Sequence, residues 1–320
     1  MTNKTYTEET FTRLPLSHGG VNETIVLFGE MLADIFPERS VLGGAPFNVA
    51  RHLKAFGQNP VLITRLGQDA LRDEMIQVMN RERMEIVGIQ SDSSHPTGKV
   101  QVEIINGEPR YEIVPKQAYD FIDQNEVQKI MHSINPAMIY FGTLAQRNKK
   151  SASALNQLLE DTKAAKFLDI NLREPWFDEQ TLKVSMQKAD IVKINENELK
   201  IIVEMLSLPE GMPQQQASEL ATRFEISQVI VTCGSKGAWM ASGKGQTVEA
   251  TIENKLESIT DTVGAGDGFA SVCILGAIKG WSASLSMRRA NAFAAKICGI
   301  RGAIPEHKDF YDQFFREWAL

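Results

Sequence analysis

The sequence predicts an α/β fold of three layers, in which a mainly parallel central sheet lies between helices. Short apolar segments alternate with amphipathic segments along most of the 320 residues. The apolar segments have the length and aliphatic content of buried strands, and the amphipathic ones have apolar residues at helical spacing. Strands that alternate with helices favour parallel pairing, with helices on both faces of the sheet. One region near residue 100 departs from this alternation and predicts a small second sheet.

The elements of the three layers follow one another along the chain. Strands are expected at 24–28, 61–64, 138–141, 167–170, 191–194 and 229–232. Helices are expected at 47–56, 71–79, 152–160, 179–188, 217–224, 264–279, 283–298 and from about 307 onward. No repeat, low-complexity tract or shift in composition separates these elements, so residues 21–320 are expected to form one domain after an N-terminal extension at 1–20.

The small sheet is predicted from segments near 31–37 and 98–115. Residues 99–105 and 111–113 alternate between apolar and polar side chains, and the Asn106-Gly107 dipeptide between them is a strong hairpin signal. Such a sheet can close over a site as a lid, pair with a second subunit, or remain a surface ribbon. Hydropathy does not choose among these, and a homodimer through the lid stays open because exposed sheet edges invite pairing.

Composition and charge narrow the classes of partner. Hydrophobic residues make up 43% of the chain and charged residues 23%, as is ordinary for a globular protein. The net charge of −6 argues against non-specific binding to nucleic acid or acidic membranes. No apolar run approaches a membrane span, and residues 1–20 lack a signal-peptide pattern. Three widely spaced cysteines predict buried free thiols in a reducing compartment, so a cytoplasmic location is expected.

The segment at 261–270, Asp-Thr-Val-Gly-Ala-Gly-Asp-Gly-Phe-Ala, constrains the chemistry most. Gly264, Ala265 and Gly266 leave backbone N–H groups uncovered at the start of a predicted helix, and such amides attract an anion. A carboxylate at Asp267 would repel a phosphate that is only held there. It makes sense if Asp267 removes a proton from an incoming hydroxyl while the amides hold the transferring phosphoryl group. The alternative is a turn that only caps a core helix.

Two other nucleotide motifs do not fit this chain. The stretch at 237–244 has the wrong spacing for a Walker loop, and Phe269 stands where a dinucleotide fingerprint needs its third glycine. The intact Asp-Thr-x-Gly-Ala-Gly-Asp string instead resembles the signature of the ribokinase-like (PfkB) carbohydrate kinases. That family has a three-layer α/β/α fold with a small β lid, which is the architecture expected here.

Two earlier segments resemble the sugar-binding part of the same family. Leu-Gly-Gly-Ala-Pro-Phe-Asn at 42–48 would place Gly43, Gly44 and Asn48 in a sugar pocket. Asp34 stands where these kinases often carry an acid that binds sugar hydroxyls, although a solvated turn acid would look the same.

A polar stretch follows the predicted strand at 167–170. There the pattern Asp-Ile-Asn-Leu-Arg at 169–173 lies at a strand end, where open α/β sheets bind their ligands. Strand alternation would point Asp169, Asn171 and Arg173 to one side. Arg173 is then expected either to pair with Asp169 or to contact a substrate oxygen or phosphate.

Asn195 and Glu198 match the family's Asn-x-x-Glu element, which implies a place near a Mg²⁺–phosphate centre, with Glu198 acting through water. A capped, acidic helix start is the alternative. The family often also binds K⁺ near the position of Asp261, so a K⁺ site is a further expectation there.

Three positions resemble the family's nucleotide turn and one its adenine site. Thr232, Gly234 and Gly237 lie in Thr-Cys-Gly-Ser-Lys-Gly, where the glycines would let the chain pass close to ATP. Asn291 falls where relatives keep an Asn beside the adenine, although an Asn within a small-residue helix is also a tolerated polar group.

The resemblance covers residues from about 25 to 303 and implies ATP-dependent phosphorylation of a sugar hydroxymethyl group. The Gly-Gly-Ala-Pro-x-Asn and Asn-Leu-Arg segments favour a fructokinase-like branch. A 2-keto-3-deoxygluconate kinase, with Arg173 pairing the substrate carboxylate, comes second, and a nucleoside kinase third. A catalytically silent sugar or nucleotide sensor on the same fold is the alternative of a different class. The intact Asp267 and amide loop favour the enzyme.

Overall fold

The computed structural model describes residues 23–105, 108–251 and 259–320. The expected N-terminal extension and the Asn106-Gly107 turn lie outside these ranges. Within them, no helix is both long and apolar enough to cross a membrane.

Strands and helices alternate along most of the described chain. The strands are β1 Thr24–Phe28, β2 Leu32–Ile35, β3 Ser40–Gly43, β4 Asn59–Gly67, β5 Ile89–Asp92, β6 Gly98–Ile105, β7 Glu108–Ile113, β8 Met138–Gly142, β9 Ala165–Asp169, β10 Ile191–Asn195, β11 Gln228–Thr232, β12 Ala238–Ala241 and β13 Thr247–Ala250. The helices are α1 Ala45–Ala55, α2 Ala70–Arg81, α3 Gln124–Met131, α4 Lys149–Glu160, α5 Glu179–Gln187, α6 Glu196–Met205, α7 Pro213–Arg223, α8 Ala265–Ile278, α9 Ala283–Cys298 and α10 Asp312–Trp318.

The central sheet has the order β13-β12-β11-β10-β9-β8-β1-β4-β5 in the described ranges. The strands from β11 to β5 are parallel, and β12 and β13 add an antiparallel edge. Helices α1, α8 and α9 pack on one face and α4 to α7 on the other, each over its own apolar core. The expected three-layer fold with a mainly parallel sheet is therefore confirmed.

Two details of the sequence analysis need correction. Strand β9 ends at Asp169, before Ile170, and Asn171 turns the chain away with a φ of 41°. Strand alternation therefore does not continue to Arg173. The three cysteines are free, but only Cys273 is buried, whereas Cys233 and Cys298 are half-buried.

The second sheet has four strands in the described residues, in the order β3-β2-β6-β7. Strands β2 and β6 are parallel, and both outer pairs are antiparallel. Asp34 is paired with Val100, and Val102 with Tyr111. Because paired residues and residues two apart share a face of a sheet, these four side chains point the same way. Val100 and Val102 are buried, which makes this the inner face.

Candidate active site

The candidate site lies at the carboxyl ends of the parallel strands, where open α/β sheets bind their ligands. Two helices begin there. Gly44 caps α1 and Gly264 caps α8. The helices meet through one side-chain hydrogen bond, in which Asn48 Nδ2 donates to Asp267 Oδ2 at 2.8 Å.

Residues 264–267, called here the anion loop, form the start of α8. Gly264 has a φ of 78°, and a Cβ added to it would lie 2.3 Å from Cβ of Ala303, so only glycine fits. The Ala265 amide donates to the Thr262 carbonyl at 3.3 Å. The Gly266 and Asp267 amides are in the first turn of the helix, where no intrahelical acceptor exists, and they donate to no other group in the described residues. The anion loop therefore offers two free amides.

Asp267 is half-buried beside those amides, and burial raises the pKa of its carboxyl to about 6. The Asn48 hydrogen bond lowers this pKa, the charge of Asp169 raises it, and the cations Lys193 and Arg173 lower it. At neutral pH the carboxylate is mostly ionised, yet it binds a proton more readily than an exposed aspartate does. Those are the properties of a general base.

Beneath the anion loop lies a buried ion pair that the sequence analysis missed. Lys193 on β10 is directly opposite Asp169 on β9, and its Nζ lies 2.9 and 3.0 Å from the two carboxylate oxygens. Tyr140 donates its hydroxyl to Asp169 Oδ2 at 3.2 Å. The alternative that Asp169 pairs with Arg173 is wrong, because the chain turns away after β9 and the strand register gives Asp169 a different partner.

Glu30 is the second residue that the sequence analysis missed. It follows β1, is 4% exposed, and accepts a hydrogen bond from the Ala45 amide on Oε1 at 3.3 Å. Burial raises the pKa of its carboxyl to about 7. A Cβ added to Gly44, whose φ is 105°, would lie 2.6 Å from the Glu30 carbonyl oxygen. The close approach of Gly44 to the backbone of Glu30 therefore explains why one residue of the Gly43-Gly44 pair is a glycine.

Two further polar side chains belong to this site: Asn48, which is bonded to Asp267, and Asp34, which lies beside Gly43. Burial raises the pKa of Asp34, and the nearest described atom to a Cβ added to Gly43 is Asp34 Oδ2, at 4.0 Å. Asn48 is 5% exposed, and its Oδ1 is buried with no hydrogen-bond partner in the described residues. We call Glu30, Asp34, Asn48 and Asp267 the acidic pocket.

Arg173 supplies positive charge to this pocket from an exposed position. Its charge lowers the pKa of Glu30, Asp34 and Asp267 alike. Its one hydrogen bond in the described residues goes from Nη1 to the neighbouring Leu172 carbonyl, at 3.3 Å. The guanidinium is therefore available to a ligand, and its contact with a substrate oxygen or phosphate stays a prediction.

A buried arginine ties the Arg173 loop to the second sheet. Arg147 donates to both carboxylate oxygens of Asp120 at 2.7 and 2.9 Å, and to the Val114 carbonyl, just after β7, at 2.8 Å. Its guanidinium carbon lies 4.6 Å from the ring centre of Trp176. The Trp176 amide in turn donates to the Arg173 carbonyl at 2.7 Å.

On the other side of the anion loop, Asn195 and Glu198 form a capped helix start. Asn195 Oδ1 accepts from the amides of Asn197 and Glu198, each at 2.9 Å. Glu198 Oε2 accepts from the Asn195 amide at 2.8 Å, and Oε1 from the Leu172 amide at 2.9 Å. Both carboxylate oxygens thus already have an amide partner, and burial raises the pKa of this carboxyl.

The remaining predicted nucleotide residues lie on neighbouring elements. Gly234 has a φ of 55° and open space around it, whereas a Cβ added to Gly237 would lie 2.4 Å from the Ala250 carbonyl oxygen. Asn291 donates to that same carbonyl at 2.8 Å. Thr232 donates weakly, at 3.4 Å, to a carbonyl at the end of β10. We call Asn195, Glu198, Thr232, Gly234, Gly237 and Asn291 the nucleotide edge.

Metal ligands are sparse in the described part of the chain. No group of three or more His, Cys, Asp or Glu side chains there could hold a metal ion. Asp261 accepts hydrogen bonds from the Val263 and Gly302 amides, one on each oxygen, both at 3.0 Å. Its binding of K⁺ stays a prediction.

An α/β fold that directs two free amides and a carboxylate toward one point has the machinery of an enzyme that phosphorylates alcohols. The chain belongs to the pfkB family of carbohydrate kinases, whose model matches residues 30–309. It is a sugar kinase of that family, and the expected resemblance is confirmed.

Individual relatives point to the fructokinase-like branch. The chain is 27% identical over 256 residues to a fructokinase of Vibrio alginolyticus, covering 75% of this chain and 80% of that one. The solved structure of a Xylella fastidiosa fructokinase with bound ATP has a TM-score of 0.79 at 19% identity, covering 93% and 99% of the two chains. The solved structure of a Vibrio cholerae fructokinase with fructose, ADP and calcium has a TM-score of 0.73 at 22% identity. It covers 91% of this chain and 98% of that one. Each of these two structures has the same fold as this chain.

Proposed function

We propose that this sugar kinase transfers the γ-phosphoryl group of ATP to a hydroxyl of a neutral ketohexose, with fructose as the first candidate. The observation that carries the proposal is the 2.8 Å hydrogen bond from Asn48 to Asp267, which holds a carboxylate between the acidic pocket and the free amides of the anion loop. The fructokinase named among the relatives supports the choice of sugar.

The charges around the pocket favour a neutral polyol. Glu30, Asp34 and Asp267 are carboxyl groups under the influence of a single guanidinium, that of Arg173. Carboxylates accept hydrogen bonds from hydroxyl groups, so several acids suit a sugar with several hydroxyls. A sugar acid such as 2-keto-3-deoxygluconate would need Arg173 to offset repulsion from three acids, and it remains the second candidate.

In the proposed reaction, the sugar lies in the acidic pocket under the inner face of the second sheet. Asp267 accepts the proton of the attacking hydroxyl as the new oxygen–phosphorus bond forms and the bond to ADP breaks. The Gly266 and Asp267 amides stabilise the negative charge that gathers on the transferred group. ATP lies along the nucleotide edge, near Gly234, where the backbone is open.

A magnesium ion fits this site when it arrives with ATP. Magnesium usually retains several waters and binds through one or two carboxylates together with substrate phosphates. Glu198 fits such an arrangement, because its oxygens accept one amide each and keep a second lone pair for a water. The ion would neutralise charge on the triphosphate, and Glu198 would hold its water shell beside α6.

The test is ADP release with MgATP and each of fructose, 2-keto-3-deoxygluconate, ribose and a nucleoside, by the wild-type chain and Asp267→Asn. We expect turnover on fructose that falls by about 10² or more in Asp267→Asn, because the base is lost while the hydrogen bond from Asn48 can persist.

A matched control is Asp73→Asn, which removes an exposed acid from the first turn of α2. It should leave turnover unchanged. Turnover on another sugar would move the substrate assignment and keep the mechanism. Near-normal turnover by Asp267→Asn would remove Asp267 as the base, and ATP binding without turnover on any acceptor would favour a sensor.

A further inference from the structure

A lysine in the middle of the central sheet has no evident structural purpose. Lys193 is 7% exposed between the apolar residues Val192 and Ile194 of β10, and its partner Asp169 is 1% exposed. Removing two charges from water is costly, and an apolar pair of similar volume is often at least as stable. The backbone ladders of β9, β10 and β11 already join these strands. The ion pair therefore calls for a functional explanation.

The ammonium end of this pair faces the anion loop. A Cβ placed on Gly266 would lie 3.6 Å from Lys193 Nζ, and among the described residues, apart from its two chain neighbours and the nearby helix backbone, no other atom would come within 4 Å. The oxygens of Asp169 are thus farther from Gly266 than Nζ is. The pair is a buried dipole whose positive end lies beside Gly266, the residue that carries one of the two free amides.

The groups that face Lys193 keep it charged. They come from four elements: Asp169 on β9, Tyr140 on β8 through Asp169, Glu198 on α6, and Asp267 and Cys273 on α8. Burial lowers the pKa of Lys193, but Asp169 and the other two acids outweigh it, so the pKa is above its usual value. The ammonium therefore stays protonated throughout the working pH range.

We infer that Lys193 is a positioning residue for phosphoryl transfer: oriented by Asp169 and Tyr140, its ammonium stabilises, through the anion loop, the negative charge of the transferring group. This inference rests on the proposed function of the anion loop. Preorganised charge in a site shielded from water acts more strongly than the same charge in water, and it requires no rearrangement during the reaction.

The experiment compares Lys193→Met with the double variant Lys193→Met/Asp169→Asn. The single change leaves a buried carboxylate without its cation, so it should lower the melting temperature as well as kcat. The double change replaces both charges by neutral groups of similar shape, and Tyr140 can donate to the new amide oxygen. Its melting temperature should return to within a few degrees of the wild type.

The two roles predict different kcat values for the double variant. If Lys193 supplies charge, kcat stays about 10–100-fold below that of the wild type although the stability has recovered, and the sugar KM changes little. If the pair is only structural, kcat recovers with the melting temperature, and the inference is overturned. Arg51→Met/Glu82→Gln serves as the control, because it removes a part-buried ion pair between α1 and the end of α2 and should leave kcat unchanged.

A binding measurement separates failure of this inference from failure of the proposed function. MgADP with fluoroaluminate mimics the transferring phosphoryl group and needs no sugar, so calorimetry can use it even if no acceptor is phosphorylated. The double variant should bind this complex at least 10-fold more weakly than the wild type does, while binding MgADP alone with similar affinity. Equal binding of the fluoroaluminate complex by both proteins would overturn the role of Lys193, whichever sugar is the substrate.

Discussion

The acidic pocket and the nucleotide edge flank the same anion loop, but their polar side chains differ in their hydrogen-bond partners. In the acidic pocket, Asn48 keeps a buried oxygen without a partner, and the pKa values of Glu30 and Asp267 are raised to about 7 and about 6. At the nucleotide edge, Glu198 and Asn291 are hydrogen-bonded to the backbone. In the pocket Asn48 keeps an atom available for a ligand, whereas at the edge Glu198 and Asn291 hold backbone in place.

This difference has a physical cause. A buried polar atom without a partner costs free energy, so a fold keeps one mainly where a ligand completes it. The perturbed carboxyl groups of the acidic pocket are what a proton-transfer site requires. A nucleotide presents mostly phosphate groups and a flat base, and a loop with a fixed backbone conformation can bind both. The comparison predicts that pocket variants lose activity and edge variants lose stability first.

Among the variants that compare the two regions, the largest effect is expected for Asn48→Ala. It removes both the hydrogen bond to Asp267 and the unpaired Oδ1, and losing groups of this kind costs about 1–3 kcal/mol each. We expect kcat/KM for the sugar to fall by about 10², with the KM for ATP unchanged, in steady-state assays that vary each substrate. If the KM for ATP rose by a factor as large as the fall in kcat/KM for the sugar, the two regions would not act independently.

The second prediction concerns pH. Asp267 must be ionised to accept a proton, and its pKa is about 6, so kcat/KM for the sugar should fall tenfold per unit below about pH 6. Arg173 lowers this pKa, so Arg173→Met should move the midpoint of the profile upward. A profile whose midpoint is the same in both proteins would place Arg173 outside electrostatic reach of the base.

A smaller effect is expected for Glu198→Gln at the nucleotide edge. The side-chain NH₂ group would face a backbone N–H that the carboxylate now accepts, which should lower the free energy of unfolding by about 1–3 kcal/mol. The KM for ATP should rise several-fold and the KM for the sugar should not. Glu196→Gln in the same turn, measured by the same denaturant titration, should change both quantities less, because Glu196 contacts the side chains of Lys236 and Cys233 and not the backbone amides that Glu198 holds.

The smallest effect is expected for Asn291→Ala. It removes one hydrogen bond to the Ala250 carbonyl, worth about 1 kcal/mol of unfolding free energy. Both KM values should stay within about twofold of the wild type. A large rise in the KM for ATP without loss of stability would instead support the contact with adenine that the family resemblance implies, and the contrast between the two regions would weaken.

Local patterns predicted much of the molecule. Each expected strand of the central sheet lies on an observed strand, because short aliphatic runs between polar segments have few other ways to be buried. The anion loop could also be located, since glycine positions and a following apolar run are local signals. Helices α3 and α6 were not among the expected helices.

The polar partners could not be predicted, because they depend on register between distant segments. Lys193 and Asp169 meet only because β9 and β10 align as they do. A lysine within an apolar run was the available signal, since a buried charge needs a counter-ion. Glu30 depends likewise on the crossing with Gly44, which no local pattern describes. The alternative in which Asp169 pairs with Arg173 extended strand geometry past the end of β9, where the chain turns away.

The Arg147 junction bears on how this enzyme can be redesigned. Its guanidinium joins Val114 and Asp120, on the return path from the second sheet, to Trp176 in the loop that carries Arg173. The return path from the second sheet and the loop that carries Arg173 are therefore joined through one buried side chain. A chimera that borrows the second sheet of a relative with another sugar preference would have to import residues 114–120, 147 and 173–176 together.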